Sequence, residues 1–156
     1  MNVKIVCVGN VKEKYFRDAL EEYYKRLGRY VNLKVVEVKE ESVPKKPTEG
    51  EILKVTETET LRLINECEGY VILLSPSGKK FSSPELAKLL KKTEDSFSSI
   101  TFVIGGSYGV SKKMFEKANL TMSFSDLTFP HQLFRVMLSE QIYRAYTIIN
   151  NVTYHK

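Results

Sequence analysis

The stretch Thr101-Phe102-Val103-Ile104-Gly105-Gly106-Ser107-Tyr108-Gly109-Val110 decides the fold class. Its first four residues continue an apolar, β-branched run from Ile100 and read as a buried strand. Three glycines within the next five positions break the strand into a turn, and the polar segment beyond starts a helix. Strand, glycine turn and helix in that order let a ligand approach the backbone closely. Glycines also serve tight turns that bind nothing, so the turn alone leaves both readings open.

The same alternation extends outward in both directions. Toward the N-terminus, residues 2–9 read as a short buried strand. Residues 12–27 follow with helical periodicity through Tyr15, Phe16, Ala19, Leu20, Tyr23 and Leu27, and Gly28 stops them. A second strand spans 31–38, a loop with two prolines 40–50, a helix 51–66, and a third strand 70–74. Toward the C-terminus, a fifth strand is expected over 120–124 and a last helix over 131–150. Parallel neighbours require crossover connections, so this order predicts an α/β fold: one domain with a mostly parallel sheet and helices on both faces. The length of 156 residues agrees with a single domain, and no repeat divides it.

Composition excludes several classes. Two cysteines, Cys7 and Cys67, and two histidines cannot form a zinc cluster of structural spacing, so no metal is expected. The longest apolar runs, such as residues 70–74, fall far short of the roughly 20 residues of a spanning helix, so no membrane association is expected. A strand running into charged residues at the N-terminus does not resemble a signal peptide, which with free thiols predicts a cytoplasmic protein. The net charge of +5 favours a polyanionic partner. The excess is local: residues 71–92 carry five basic side chains against one acidic, whereas residues 51–70 carry two against five. Lys79 and Lys80 follow an expected turn at Ser75-Pro76-Ser77-Gly78, and Lys88, Lys91 and Lys92 follow on a helix. They form either a phosphate-binding face or a solvated one.

The last helix carries two apolar faces, one through Phe134, Leu138, Ile142, Ala145 and Ile149, the other through Leu133, Met137 and Ile148 with Arg144 interrupting. Such a helix is buried on more than one side, either centrally in the core or against a second subunit. Both histidines lie near the C-terminus: His131 follows Phe129-Pro130, and His155 sits in Tyr154-His155-Lys156, three side chains able to bond, stack on or neutralise a nucleotide. Glu140 and Arg144 are spaced for an intrahelical ion pair. No dinucleotide fingerprint or phosphate-binding P-loop is present, which disfavours a dehydrogenase or kinase.

With these residues laid out, the chain resembles the small SPOUT-class methyltransferases that modify a pseudouridine at N3 in 23S ribosomal RNA. The resemblance covers essentially the full length. It rests on Val8-Gly9-Asn10-Val11-Lys12-Glu13-Lys14-Tyr15, on the glycine segment, on Phe124 through Phe129-Pro130-His131-Gln132-Leu133-Phe134-Arg135, on Glu140-Gln141-Ile142-Tyr143-Arg144-Ala145, and on the terminal Tyr154-His155-Lys156. It implies a C-terminal trefoil knot, an exception to the rule that chains do not thread loops. It also implies a homodimer and S-adenosylmethionine held by backbone groups of three loops, here at Leu74, at Gly105, and at Phe124, Ser125, Asp126, Leu127, Thr128 and Phe129. Methyl transfer to nitrogen needs orientation of donor and acceptor and removal of a proton. His131, Arg135, Tyr154 and His155 are the candidates for that work. Arg135 and Lys156 are expected on phosphate, Tyr154 and His155 on the target nucleotide, and the base is left open among them. The competing class is a non-catalytic protein that binds structured ribosomal RNA through the lysine loop and tail.

Overall fold

The computed structural model describes all 156 residues, Met1–Lys156. Its elements alternate: β1 (Asn2–Val8), α1 (Lys14–Leu27), β2 (Asn32–Val38), α2 (Glu49–Glu66), β3 (Tyr70–Lys80), α3 (Ser83–Glu94), β4 (Ser99–Ile104), α4 (Lys112–Lys117), β5 (Leu120–Ser123) and α5 (His131–Ile149). The strands form one sheet in the order β2-β1-β4-β3-β5, and every pairing is parallel. The sheet is thus wholly rather than mostly parallel. No helix is long and apolar enough to cross a membrane.

Alternation along the strands builds a core on each face. Val3, Ile5 and Cys7 of β1, Ile72 and Leu74 of β3, and Ile100, Phe102 and Ile104 of β4 face one cluster, which is closed by Leu27 of α1, Leu86 and Leu90 of α3, and Leu138 and Ile142 of α5. The intervening Val6, Val8, Val71, Leu73 and Val103 pack on the opposite face with Leu63 of α2 and Met114 of α4. Phe102, Ile5, Ile72, Leu73 and Leu138 are fully buried, each contributing about 1.5–3 kcal/mol by leaving water. Capping boxes start α2 and α3: Thr48 and Ser82 accept from the amides of Glu51 and Glu85, whose carboxylates reach back to the cap amides.

One boundary differs from the sequence expectation in a way that shapes the site. The third strand does not end at Leu74. Leu74 and Lys79 both lie opposite Met122 of β5, so Ser75-Pro76-Ser77-Gly78 bulges out and the strand then resumes to Lys80. Gly78 is required there: a Cβ on it would stand 2.6 Å from the Met122 backbone. The bulge places Ser75 and Pro76 beside the loops that follow β4 and β5.

Candidate active site

The chain reverses out of the sheet at three adjacent points: the β3 bulge, the turn after β4, and the loop between β5 and α5. Their convergence leaves a cavity of about 340 Å³ at the C-terminal side of the strands, where open α/β sheets take ligands. Leu74 and Pro76 form one wall and Gly105 to Val110 the second. Phe124, Ser125 and Leu127 to Phe129 form the third, and His131 and Phe134 enter from the first turn of α5.

Each wall is fixed locally. The Gly109 amide donates to the Gly106 carbonyl at 3.0 Å, closing the glycine turn, and the Ser111 amide donates to Thr60 Oγ1 at 2.9 Å, anchoring the turn to α2. A Cβ on Gly105 would lie 2.8 Å from Val110 Cγ1 and 3.2 Å from the Gly109 carbonyl. The bare position at 105 therefore serves the closure of the turn on itself. In the third wall, Ser125 Oγ accepts from the Leu127 amide at 3.1 Å. Phe134 packs on Phe124 with centroids 4.8 Å apart and stacks on Phe129 at 6.2 Å.

His131 and Tyr108 are the only titratable side chains of the lining. The His131 ring keeps solvent access at the cavity edge. Even so, partial burial lowers its pKa below the ordinary histidine value, with Arg135 adding to the depression and Glu40 opposing it. The shift favours the neutral imidazole, the form able to accept a proton. The lining carries no carboxylate and no lysine or arginine. Its surface combines aromatic and aliphatic side chains with backbone and the hydroxyls of Ser75, Ser107, Ser123, Ser125 and Thr128, suited to a ligand with a flat apolar part and polar edges.

A family described as "Predicted SPOUT methyltransferase" matches residues 1–155. The chain belongs to the SPOUT methyltransferase family. A protein of Limosilactobacillus reuteri named ribosomal RNA large subunit methyltransferase H is 47% identical, with both chains covered completely. One of the same name from Oenococcus oeni is 44% identical over 100% of this chain and 99% of its own. A relative from Methanococcus vannielii, named a putative methyltransferase H, is 46% identical over the full length of both. In fold, the chain resembles the crystal structure of a tRNA (m1G37) methyltransferase from Aquifex aeolicus, with a TM-score of 0.51 at 12% identity, covering 92% of this chain and 70% of that one.

Within this SPOUT chain the expected cofactor positions gather in one place, with one exception. Leu74, Gly105, Phe124, Ser125, Leu127, Thr128 and Phe129 all line the cavity. Asp126 points away and pairs with Lys80 at 2.6 Å, tying the third wall to the resumed end of β3. Lys79 lies over the Phe81 ring at 5.0 Å, and Lys88, Lys91 and Lys92 stand on the exposed face of α3.

The four residues expected to do the chemistry are not brought together within the chain. His131 is at the cavity. Arg135, expected on phosphate, is 4% exposed; its Nη1 donates to Glu37 Oε2 at 2.5 Å and its Nη2 to the Gly9 carbonyl at 3.0 Å. One helical turn beyond His131, α5 faces the core, so this guanidinium ties β1 and β2 to α5. Tyr154 and His155 fold back on the far end of α5. The Tyr154 hydroxyl donates to Glu140 at 3.0 Å, its ring meets Tyr143 edge-on at 4.8 Å, and Arg144 lies over it at 4.7 Å while also approaching His155 Nδ1 at 3.2 Å. Burial and the bond to Glu140 push the Tyr154 pKa up to about 12. The expected Glu140–Arg144 pair is present at 2.5 Å and serves as the platform for this tail. Nine to thirteen residues of helix separate it from His131, on the order of 14–20 Å along the axis.

Sequence reasoning missed Tyr108, Phe115 and Phe134 as lining residues and Glu59 behind the glycine turn. Tyr108 and Phe134 lie inside the quoted motifs without having been assigned to the site, and Phe115 lies five residues beyond the glycine segment. Glu59 is invisible from the motif because α2 reaches the turn only in the folded sheet.

Proposed function

We propose that the protein transfers a methyl group from S-adenosylmethionine to N3 of a pseudouridine in 23S ribosomal RNA of the large subunit, acting as a homodimer in the cytoplasm. The observation that carries this reading is the glycine-walled cavity at the strand ends with a single imidazole at its edge. The names of the relatives, matched over essentially their whole length, support ribosomal RNA of the large subunit as the substrate class, and the motif resemblance supports the choice of pseudouridine N3. The residues present suit the donor: Leu74, Gly105 and the 124–129 loop offer backbone groups for polar edges, and Phe124, Phe129 and Phe134 offer apolar surface. A Cβ on Gly109 would meet nothing within 4 Å, so open space adjoins the turn. When bound, S-adenosylmethionine supplies a methyl on a cationic sulfur that leaves as a neutral thioether.

In this reading the protein orients and deprotonates. His131, whose neutral form partial burial favours, takes the N3 proton while the nitrogen electron pair forms the new bond to carbon. The tail belongs to the target nucleotide and meets the partner's cavity across a two-fold interface, a reading supported by its distance from His131 along α5. Supporting that arrangement, Leu127 of the third wall and Leu133 of α5 are exposed, and a second open groove runs between Phe81, Phe129, Val136 and Met137.

The test is incorporation of labelled methyl from S-adenosylmethionine into free 23S RNA, isolated large subunits and assembled ribosomes, with the modified nucleotide located by mass spectrometry. Label on a pseudouridine N3 in one of these substrates supports the reading. Tight ribosome binding without S-adenosylmethionine affinity would assign the protein to the non-catalytic class instead.

A further inference from the structure

A buried carboxylate stands directly behind the cavity wall. Glu59, on α2, is 3% exposed. Its Oε2 accepts from the Glu41 amide at 2.9 Å, while its Oε1 accepts no protein donor and lies 2.5 Å from where a Cβ on Gly106 would be. Gly106 lines the cavity, so only the missing side chain lets this oxygen reach the wall from behind.

The neighbours of Glu59 on α2 have a simpler task. Thr60 holds the Ser111 amide, and Arg62 donates to the Lys39 carbonyl at 2.9 Å and pairs with Glu41. Both fasten a loop through bonds that neutral or exposed groups can make. Glu59 is different, because a glutamine carbonyl would satisfy the Glu41 amide equally well and burying a carboxylate is unfavourable. Burial, with Glu40 and Glu41 nearby, raises its pKa, and the Glu41 amide and Arg62 act in the opposite direction. The cavity wall itself carries no acid to balance a cation.

We infer that Glu59 supplies, through Gly106, the negative charge that makes the cavity prefer a cationic sulfonium ligand over its neutral thioether counterpart. This inference rests on the S-adenosylmethionine reading above. Glu59 touches no ligand; it sets specificity from behind the wall, favouring the charged donor and releasing the uncharged product. Two opposite charges several ångströms apart in a partly buried setting are coupled strongly enough for roughly a tenfold preference.

The experiment compares S-adenosylmethionine with S-adenosylhomocysteine by calorimetry on the intact protein. Glu59→Gln should weaken the sulfonium ligand about tenfold while leaving the thioether within about twofold. Glu59→Asp, which keeps the charge, should preserve the ratio even if both affinities fall. Gly106→Ala, which displaces the carboxylate from the wall without removing it, should lower the ratio in the same direction. Thr60→Val should weaken both ligands equally. An unchanged ratio in Glu59→Gln and Gly106→Ala would overturn the inference and leave Glu59 a loop anchor. Unmodified protein that binds neither ligand would overturn the cofactor reading itself.

Discussion

Replacing Arg135 by alanine separates a structural arginine from a phosphate-binding one. The guanidinium is 4% exposed and makes two bonds, to Glu37 at 2.5 Å and to the Gly9 carbonyl at 3.0 Å. Hydrogen bonds to charged groups contribute about 1.5–3 kcal/mol each. The Glu37 side chain is 42% exposed and recovers water when its partner is lost, so its share belongs at the low end. The Gly9 carbonyl is left without that donor, and the truncated side chain leaves a void between β1 and α5. Together these effects predict a loss of about 3 kcal/mol. For a chain of this length the midpoint should fall by about 6–12 °C. Thermal and urea unfolding measure the loss. S-adenosylmethionine affinity, determined well below the new midpoint, should stay within a few-fold of the original. An unaltered midpoint with abolished methyl transfer would refute this reasoning and return Arg135 to the substrate.

Gly105→Ala places a methyl 2.8 Å from Val110 Cγ1 and should open the glycine turn; S-adenosylmethionine affinity is expected to fall more than tenfold while the fold survives, and equal affinity would remove the turn from the site. Because the His131 pKa is lowered, kcat/KM should rise with pH through an apparent pKa below the ordinary histidine value and level off above it. His131→Ala should be slow without that limb, and a limb that persists in this variant would assign the base elsewhere. Deleting Tyr154-His155-Lys156 should leave cofactor affinity and stability nearly intact and abolish methyl transfer. Mixing the truncated protein with His131→Ala should restore part of the activity, since one of the two sites then combines an intact cavity with the partner's tail. No recovery in mixtures shown to exchange subunits would place tail and cavity action within one protomer.

The sequence by itself determined the α/β class, the order of elements and the strand ends and turns around which the cavity forms, while the family resemblance singled out most of the residues that line it. Those features follow from local periodicity and turn chemistry, which are written in neighbouring residues: apolar runs ending at Leu74 and Ile104, glycines at 105, 106 and 109, and a loop from Phe124 to Phe129. The family motifs likewise lie in short contiguous segments. What only the tertiary structure decided concerns groups far apart in the chain. The bulge at Ser75–Gly78 depends on how closely β5 approaches β3, and no local signal separates it from a strand end. Arg135 reads as an exposed cation in a motif until the packing of α5 against β1 and β2 buries it on Glu37, 98 positions away. Tyr154 and His155 belong to the far end of α5 because Glu140 and Arg144 bind them there. Glu59 meets Gly106 only because α2 crosses the sheet beneath the turn. Charge and hydrogen bonding act through space, so the partner of a polar group is set by topology, whereas helix, strand and turn are set by the residues next in line.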